Sequence, residues 1–215
     1  MYAQDYDENI APNMTFDWAN WGGTNGSAFG MGTPWWMDLI QPYVKNLQLF
    51  VCPSRSSFGK GQSYWGAWPI RNPWSYARNY RTDGLWYPDL QAARPQLTAL
   101  AGVQRPAERI LHTEQAVVGT DPCNTEYQLI YLPYGNVRLH AQKIGYSFFD
   151  GHVKSMRYLE TVRPGRLMWN VMDNYPNYAT AFGWELVNNE AEELAAIEKW
   201  HNWIKSIVPN ADEYL

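Results

Sequence analysis

Histidines and nearby carboxylates are the side chains of this 215-residue chain best suited to acid–base or metal chemistry. The chain has four histidines: His112, His140, His152 and His201. Imidazole and carboxylate groups together can bind a divalent cation, which makes Glu114, His140 and Asp150 candidate metal ligands. No two histidines have the i, i+4 spacing of a helical metal site. The alternative is that every histidine is a hydrogen-bonded structural residue. The sequence does not decide whether the protein binds a structural divalent cation.

Thiol chemistry is limited to Cys52 and Cys123, which lie 71 positions apart. Neither belongs to a CxxC pair, and neither has a histidine at metal-ligand spacing, so the pattern does not predict a zinc site. A disulfide between them would close a long loop and stabilise the fold by about 4 kcal/mol through chain entropy. Two unpaired, buried thiols are the other interpretation.

Sequence motifs of common enzymes do not occur: there is no GxSxG, Walker A or GxGxxG pattern. The two carboxylates of a glycoside hydrolase must face each other across a cleft, and no local pattern nominates such a pair. We therefore expect a non-enzymatic protein with no cofactor. A secreted hydrolase that depends on Glu114 or Asp150 is the weaker alternative.

Aromatic residues are abundant, with 12 Trp and 15 Tyr, and many of them lie in the segment 58–87 among Gly, Pro, Asn and Arg. We expect this segment to be a long aromatic loop, either packing in a subunit interface or stacking on sugars. The interface interpretation is the favoured one. The candidate contact residues are Trp65, Trp68, Trp74, Tyr76 and Trp86.

The charge balance excludes one class of partner. Lys and Arg number 17 against 21 Asp and Glu, for a net charge of −4, so the chain is not a generally basic nucleic-acid binder. A basic middle, 51–90, lies between acidic ends, which would let copies of the chain meet head to tail. A solvated surface of mixed sign is the simpler alternative.

Local patterns predict several helices and strands. Thr33–Pro34 has the form of a helix start for a helix over 33–41, and strands are predicted at 48–52, 109–114 and 128–132. The segment 144–156 predicts a β-hairpin with a type I′ turn at Asp150–Gly151, because that turn needs positive φ at both central residues.

A C-terminal helix is predicted over 189–207. Asn189 and Glu192 fit a capping box, and acidic residues are concentrated at its start. Its apolar side recurs at helical spacing through Leu194, Ile197, Trp200, Ile204 and Ile207.

Nine residues separate His140 from Asp150–Gly151. This spacing resembles the His-(nine residues)-Asp-Gly motif of a large bacterial family of pilin-like proteins associated with prepilin-type processing. Residues 1–7 are similar to the end of that family's N-terminal helix. Further blocks resemble the family in the same order: Trp36–Asn46, Phe50–Ser54, Ser75–Tyr80, Arg105–Leu111 and Phe149–Lys154. Glu114 stands where the family often has Asp.

The resemblance implies an α+β head of the type IV pilin or type II secretion pseudopilin kind, with an antiparallel sheet, flanking helices and the long aromatic loop. We expect a single unit over 1–215, in which 1–8 end a truncated N-terminal helix, 9–156 form the family-like core and 157–215 form a C-terminal extension. His140, Asp150, Gly151 and His152 are then architectural residues.

The function implied by the resemblance is that of a structural subunit of a surface or secretion filament, whose partners are other copies or filament subunits. Its location would be the cell envelope or the extracellular surface, and only the missing N-terminal helix would contact the membrane. The alternative is a carbohydrate-binding surface module that uses the segment 58–87 to bind glycans.

Overall fold

The protein has an α+β fold built around one antiparallel sheet. A computed structural model describes the residues 2–11, 36–54, 75–79, 99–114, 140–169, 178–179, 186–187 and 189–207. The α-helices of this part are α1 (Tyr2–Asp5), α2 (Trp36–Val44) and α3 (Glu190–Ile207), and short 3₁₀ helices lie at Leu47–Phe50, Leu100–Gly102, Pro106–Glu108 and Tyr158–Glu160.

The sheet has four strands in the order β1 (Tyr76–Arg78), β2 (Ile110–Glu114), β3 (Ile144–Phe148) and β4 (Val153–Met156), all antiparallel to their neighbours. Two small ribbons follow it: β5 (Val162–Arg163) with β6 (Arg166–Leu167), and β7 (Tyr178–Ala179) with β8 (Leu186–Val187). The predicted strand at 109–114 and the predicted hairpin are confirmed, whereas the predicted strand at 128–132 lies outside the described residues.

One face of the sheet carries the larger core. Ile144, Tyr146 and Phe148 alternate along β3 and are fully buried, as expected for a strand with one face on the core. They pack in a cluster with Trp169, whose ring meets that of Tyr146 edge to face at 6.0 Å. Ile197 of α3 belongs to the same cluster, so the C-terminal helix covers this face.

The other face of the sheet is covered by a smaller cluster of Trp36, Met37 and Phe50. Trp36 lies over His112 of β2, with ring centroids 4.6 Å apart, which joins α2 to the sheet. Two apolar layers therefore enclose the strands, one from α2 and the other from the C-terminal part of the chain.

Two sequence predictions near α2 are wrong. The predicted strand 48–52 is a 3₁₀ helix, Leu47–Phe50, because the Asn46 side chain accepts a hydrogen bond from the Gln48 N–H at 2.9 Å and caps its start. The predicted helix end at residue 41 is also wrong, since α2 continues past Pro42 to Val44. Ile40 and Val44 lie on either side of Pro42 and pack against the cluster of Trp36, Met37 and Phe50, which favours the helix despite the one hydrogen bond that Pro42 removes. The predicted start, Thr33–Pro34, lies outside the described residues.

The hairpin turn differs in type from the prediction. Only Gly151 has positive φ, +91°, and Asp150 does not, so the turn is not type I′. The Gly151 N–H donates to Phe148 O and the Phe148 N–H donates to His152 O, both at 3.0 Å. This is the pattern of a three-residue loop that ends in a left-handed residue.

The C-terminal helix is confirmed together with its cap. The Glu192 N–H donates to the Asn189 side-chain oxygen at 3.0 Å, and the Asn189 amide donates to the Glu192 carboxylate at 2.8 Å. His201 lies on the buried side of α3, 3.3 Å from the Tyr158 hydroxyl, so it is a structural histidine.

A buried asparagine connects the sheet to the segment around Trp169, which follows β6 in the chain. Asn79 is fully buried directly after β1, and its side-chain amide donates to Ile110 O at 2.8 Å and to Trp169 O at 2.7 Å. Since both carbonyls accept from this one side chain, Asn79 holds β2 and the Trp169 segment together.

We expect Gly151→Val to destabilise the protein by about 1–3 kcal/mol, because a β-branched residue is strained at a φ of +91°. Lys154→Ala, on the exposed part of β4, should change the free energy of unfolding by less than about 0.5 kcal/mol. Urea unfolding of the two variants measures the difference between their free energies of unfolding. Equal midpoints would refute this account of the hairpin.

We expect Asn79→Ala to cost about 2–4 kcal/mol of unfolding free energy, because it leaves two buried carbonyls without their donor. Asn189→Ala makes the same chemical change at an exposed helix cap and should cost about 1 kcal/mol. Calorimetric unfolding of both proteins gives the comparison. A larger loss for the cap variant would contradict the role assigned to Asn79.

Candidate functional site

Three chemically active side chains meet at one end of the sheet. His140 Nε2 lies 3.5 Å from Cys52 Sγ and 3.2 Å from Glu114 Oε1. The three candidate ligand atoms all lie within 4.8 Å of one another. We call this group the Cys–Glu–His cluster.

Glu114 is positioned by the sheet itself. It is the last residue of β2, paired with Tyr76 of β1, and only 8% of the residue is exposed. Gly145 of β3 lies beside it: a Cβ atom at Gly145 would be 3.6 Å from Glu114 Oε1. The carboxylate of Glu114 therefore lies next to the neighbouring strand.

Cys52 reaches the cluster from the 3₁₀ helix Leu47–Phe50. Its N–H donates to the Ser75 hydroxyl at 2.7 Å, and the Ser75 N–H donates to Phe50 O at 2.8 Å. Ser75 immediately precedes β1, so these two bonds fix the cysteine against the sheet. The buried Cys52 thiol is free rather than part of the disulfide that the sequence left open, and Cys123 lies outside the described residues.

His140 is held by a turn that leads into β3. The Lys143 N–H donates to His140 O at 3.1 Å, and the two residues between them, Ala141 and Gln142, have φ of 52° and 65°. Left-handed φ costs a non-glycine residue about 1–2 kcal/mol. The turn is therefore strained, and it places the imidazole over Glu114.

Asp150 is not brought to the cluster, although it was a candidate ligand beside His140 and Glu114. The residues 140–151 extend along β3, which places His140 at one end of that strand and Asp150 at the other. There Asp150 Oδ1 accepts from the His152 N–H at 3.1 Å and lies 2.6 Å from His152 Nδ1. The backbone N–H and the imidazole of His152 both lower the pKa of Asp150.

The other two histidines near the sheet, His112 and His152, make structural contacts. His112 Nδ1 lies 2.9 Å from the Ser147 hydroxyl. Burial, and then the nearby Arg78 guanidinium, lower the pKa of His112 to about 3, so its ring is neutral near pH 7. The His152 ring stacks on Phe148 with centroids 4.2 Å apart.

Of the aromatic contact candidates, the described residues include only Tyr76. It is half-buried and packs against the cluster of Trp36, Met37 and Phe50. The other candidates lie outside the described residues: Trp65, Trp68, Trp74 and Trp86.

The geometry of the cluster does not match that of a catalytic thiol. In a Cys–His–acid triad the thiol and the carboxylate bind opposite nitrogens of the imidazole, so that the acid orients the base. Here both Cys52 and Glu114 contact Nε2 of His140. A point at which three ligand atoms converge suits a cation better than proton relay.

Sequence reasoning found two members of the cluster, Glu114 and His140, and missed Cys52. The cysteine lies 88 positions from His140, far outside any local ligand motif. The one available signal was that Cys52 falls within a block, Phe50–Ser54, that resembles the pilin-like family.

Comparison with known proteins gives no identification: no family model, curated protein or solved structure matches the chain. In the part of the chain that the structure describes, no helix combines the length and the apolar character needed to span a bilayer.

We expect Gln142→Gly to raise the free energy of unfolding by about 1 kcal/mol, because glycine adopts positive φ without steric cost. Lys143→Gly is the matched control: Lys143 is exposed and does not have positive φ, so this change should lower stability by about 0.5–1 kcal/mol. Thermal unfolding of the two variants shows whether the first is more stable, and the second less stable, than the parent protein. Destabilisation by both substitutions would show that the turn is not strained at Gln142.

Proposed function

We propose that this chain is the globular head of a non-enzymatic, pilin- or pseudopilin-like subunit that assembles into a surface or secretion filament. The observation that carries the proposal is the structure of the motif segment. The nine residues between His140 and Asp150 consist of a strained turn, the inner strand β3 and the first residue of the hairpin loop. A spacing that corresponds to one strand and its flanking turns supports an architectural role for the motif.

The other family-like blocks also occupy structural positions. Ser75 binds the backbone of Cys52, and Asn79 binds two buried carbonyls. Arg109 is buried, and its guanidinium donates to Leu167 O at 2.8 Å. Residues that resemble a family and are buried as connectors support a shared architecture rather than a shared chemistry.

Two exposed apolar side chains are candidate positions for contact with further subunits. Leu49 is 62% exposed at the 3₁₀ helix, and Val153 is 72% exposed at the start of β4. Single exposed apolar residues are common on protein surfaces, so these two are positions at which a subunit contact can be tested rather than evidence of one. The partners in this proposal are other copies of the chain or related filament subunits, at the cell envelope or outside the cell.

Filament assembly by this route requires an N-terminal anchor. We expect the coding sequence upstream of the Met1 codon to continue in frame as a short basic leader followed by about 20 apolar residues. Cells that carry the complete gene should then release the protein in a sheared filament fraction, visible by immunogold electron microscopy. Deletion of the apolar segment is the control and should abolish this signal.

An ordinary cleavable signal upstream, or a folded protein that never enters the sheared fraction, would refute the filament proposal. The carbohydrate-binding alternative would then lead, since it needs no anchor. Binding to a glycan array that is lost in a Trp68→Ala/Trp74→Ala variant of unchanged stability would support that alternative.

A further inference from the structure

We propose that Cys52, Glu114 and His140 bind a divalent transition metal ion, with Zn²⁺ the ion that their donor atoms fit best. The proposal concerns the Cys–Glu–His cluster alone and does not depend on filament assembly. It assigns the cluster a ligand that neither the motif resemblance nor the proposed function requires.

Two of the three distances between the donor atoms agree with the edges of a zinc tetrahedron. Zn–S bonds of about 2.3 Å and Zn–N or Zn–O bonds of about 2.0–2.2 Å give tetrahedral S···N and N···O edges of about 3.6 and 3.4 Å. The corresponding separations are 3.5 Å from Cys52 Sγ to His140 Nε2 and 3.2 Å from His140 Nε2 to Glu114 Oε1. The third pair, Cys52 Sγ and a Glu114 carboxylate oxygen, lies within 4.8 Å, so binding of an ion would draw these two side chains together.

The types of donor select among metals. A cysteine thiolate is a soft ligand that Ca²⁺ and Mg²⁺ do not use, whereas thiolate, imidazole and carboxylate are all common ligands of Zn²⁺. One thiolate and one carboxylate also carry two negative charges, which a divalent ion neutralises. Neutrality matters here because Cys52 and Glu114 are both buried, with exposed fractions of 5% and 8%.

One nitrogen of His140 has two neighbouring ligand atoms. A single imidazole nitrogen either donates one N–H or offers one lone pair. Nε2 of His140 faces both a sulfur and a carboxylate oxygen, so it can satisfy only one of them by a linear hydrogen bond. A metal ion at the convergence point would bind all three atoms at once.

Hydrogen bonds outside the cluster hold Cys52 in place. The Ser75 hydroxyl accepts the backbone N–H of Cys52, and the Ser75 N–H donates to Phe50 O. Outer contacts of this kind commonly change metal affinity 10–100-fold when they are removed. Ser75 is therefore a positioning residue for the metal.

An entry route and a coordination position remain on the side of His140. Its side chain is 31% exposed, in contrast with 10% for that of Glu114. Within the part of the chain that the structure describes, the three ligands occupy three positions of a tetrahedron and leave the fourth for water or a further ligand. The bound ion would join the 3₁₀ helix segment, the end of β2 and the turn before β3, which are distant in sequence.

The test is a titration of the reduced, chelator-treated protein with Co²⁺, a spectroscopic substitute for Zn²⁺, followed by displacement with Zn²⁺. We expect one equivalent of Co²⁺ to produce a thiolate-to-cobalt charge-transfer band and intense tetrahedral d–d bands, and Zn²⁺ to abolish both. Cys52→Ser should abolish the charge-transfer band. Cys123→Ser is the matched control and should retain it.

His140→Ala should weaken Zn²⁺ binding, measured by calorimetry, by more than about 100-fold, beyond the effect of an outer contact, and Ser75→Ala should weaken it about 10–100-fold. His152→Ala, at the other end of β3, should leave binding unchanged. Circular dichroism of the metal-free variants verifies that each is folded. No thiolate band in the parent protein, a band that survives Cys52→Ser, or equal Zn²⁺ affinity in His140→Ala would each overturn the proposal.

Discussion

The pairing of β2 with β3 is the constraint on which the rest of the described structure depends. Each of these strands has a neighbour on both sides. β2 contributes to both layers of packing, through Ile110 and His112, and β3 contributes three side chains to the larger core. The buried amide of Asn79 ties β2 to the Trp169 segment with two hydrogen bonds. Because these bonds are made away from water, their loss leaves buried carbonyls without a donor, which costs more than the bonds themselves contribute.

The same strand pairing creates the Cys–Glu–His cluster. The register places Glu114 at the end of β2 next to Gly145, near the start of β3. The turn before β3 then has little freedom, and its left-handed residues Ala141 and Gln142 direct His140 back over the carboxylate. Backbone strain near a group of polar side chains is frequently associated with function, and here it accompanies three convergent ligand atoms.

The two ends of β3 have different chemistry. At one end His140 contacts a thiol and a carboxylate in a buried setting. At the other end Asp150 and His152 bind each other at an exposed loop, and Gly151 supplies the positive φ that the loop needs. In the proposed filament subunit the motif therefore specifies the length of a strand, whereas its histidine also serves the proposed metal site.

Local signals were enough to predict the hairpin around Asp150–Gly151, the strand at β2 and the C-terminal helix with its Asn189 cap. These signals are β-strand composition, turn residues that accept positive φ, and a side-chain cap, and a short window of sequence contains each of them. Pattern alone misjudged the passage of α2 through Pro42, because tertiary packing decided it. The 3₁₀ helix before Cys52 was also misjudged, although the Asn46 cap at its start is a local contact. Only the tertiary structure brought Cys52 to His140 across 88 positions, since strand register and the bonds of Ser75 control that contact.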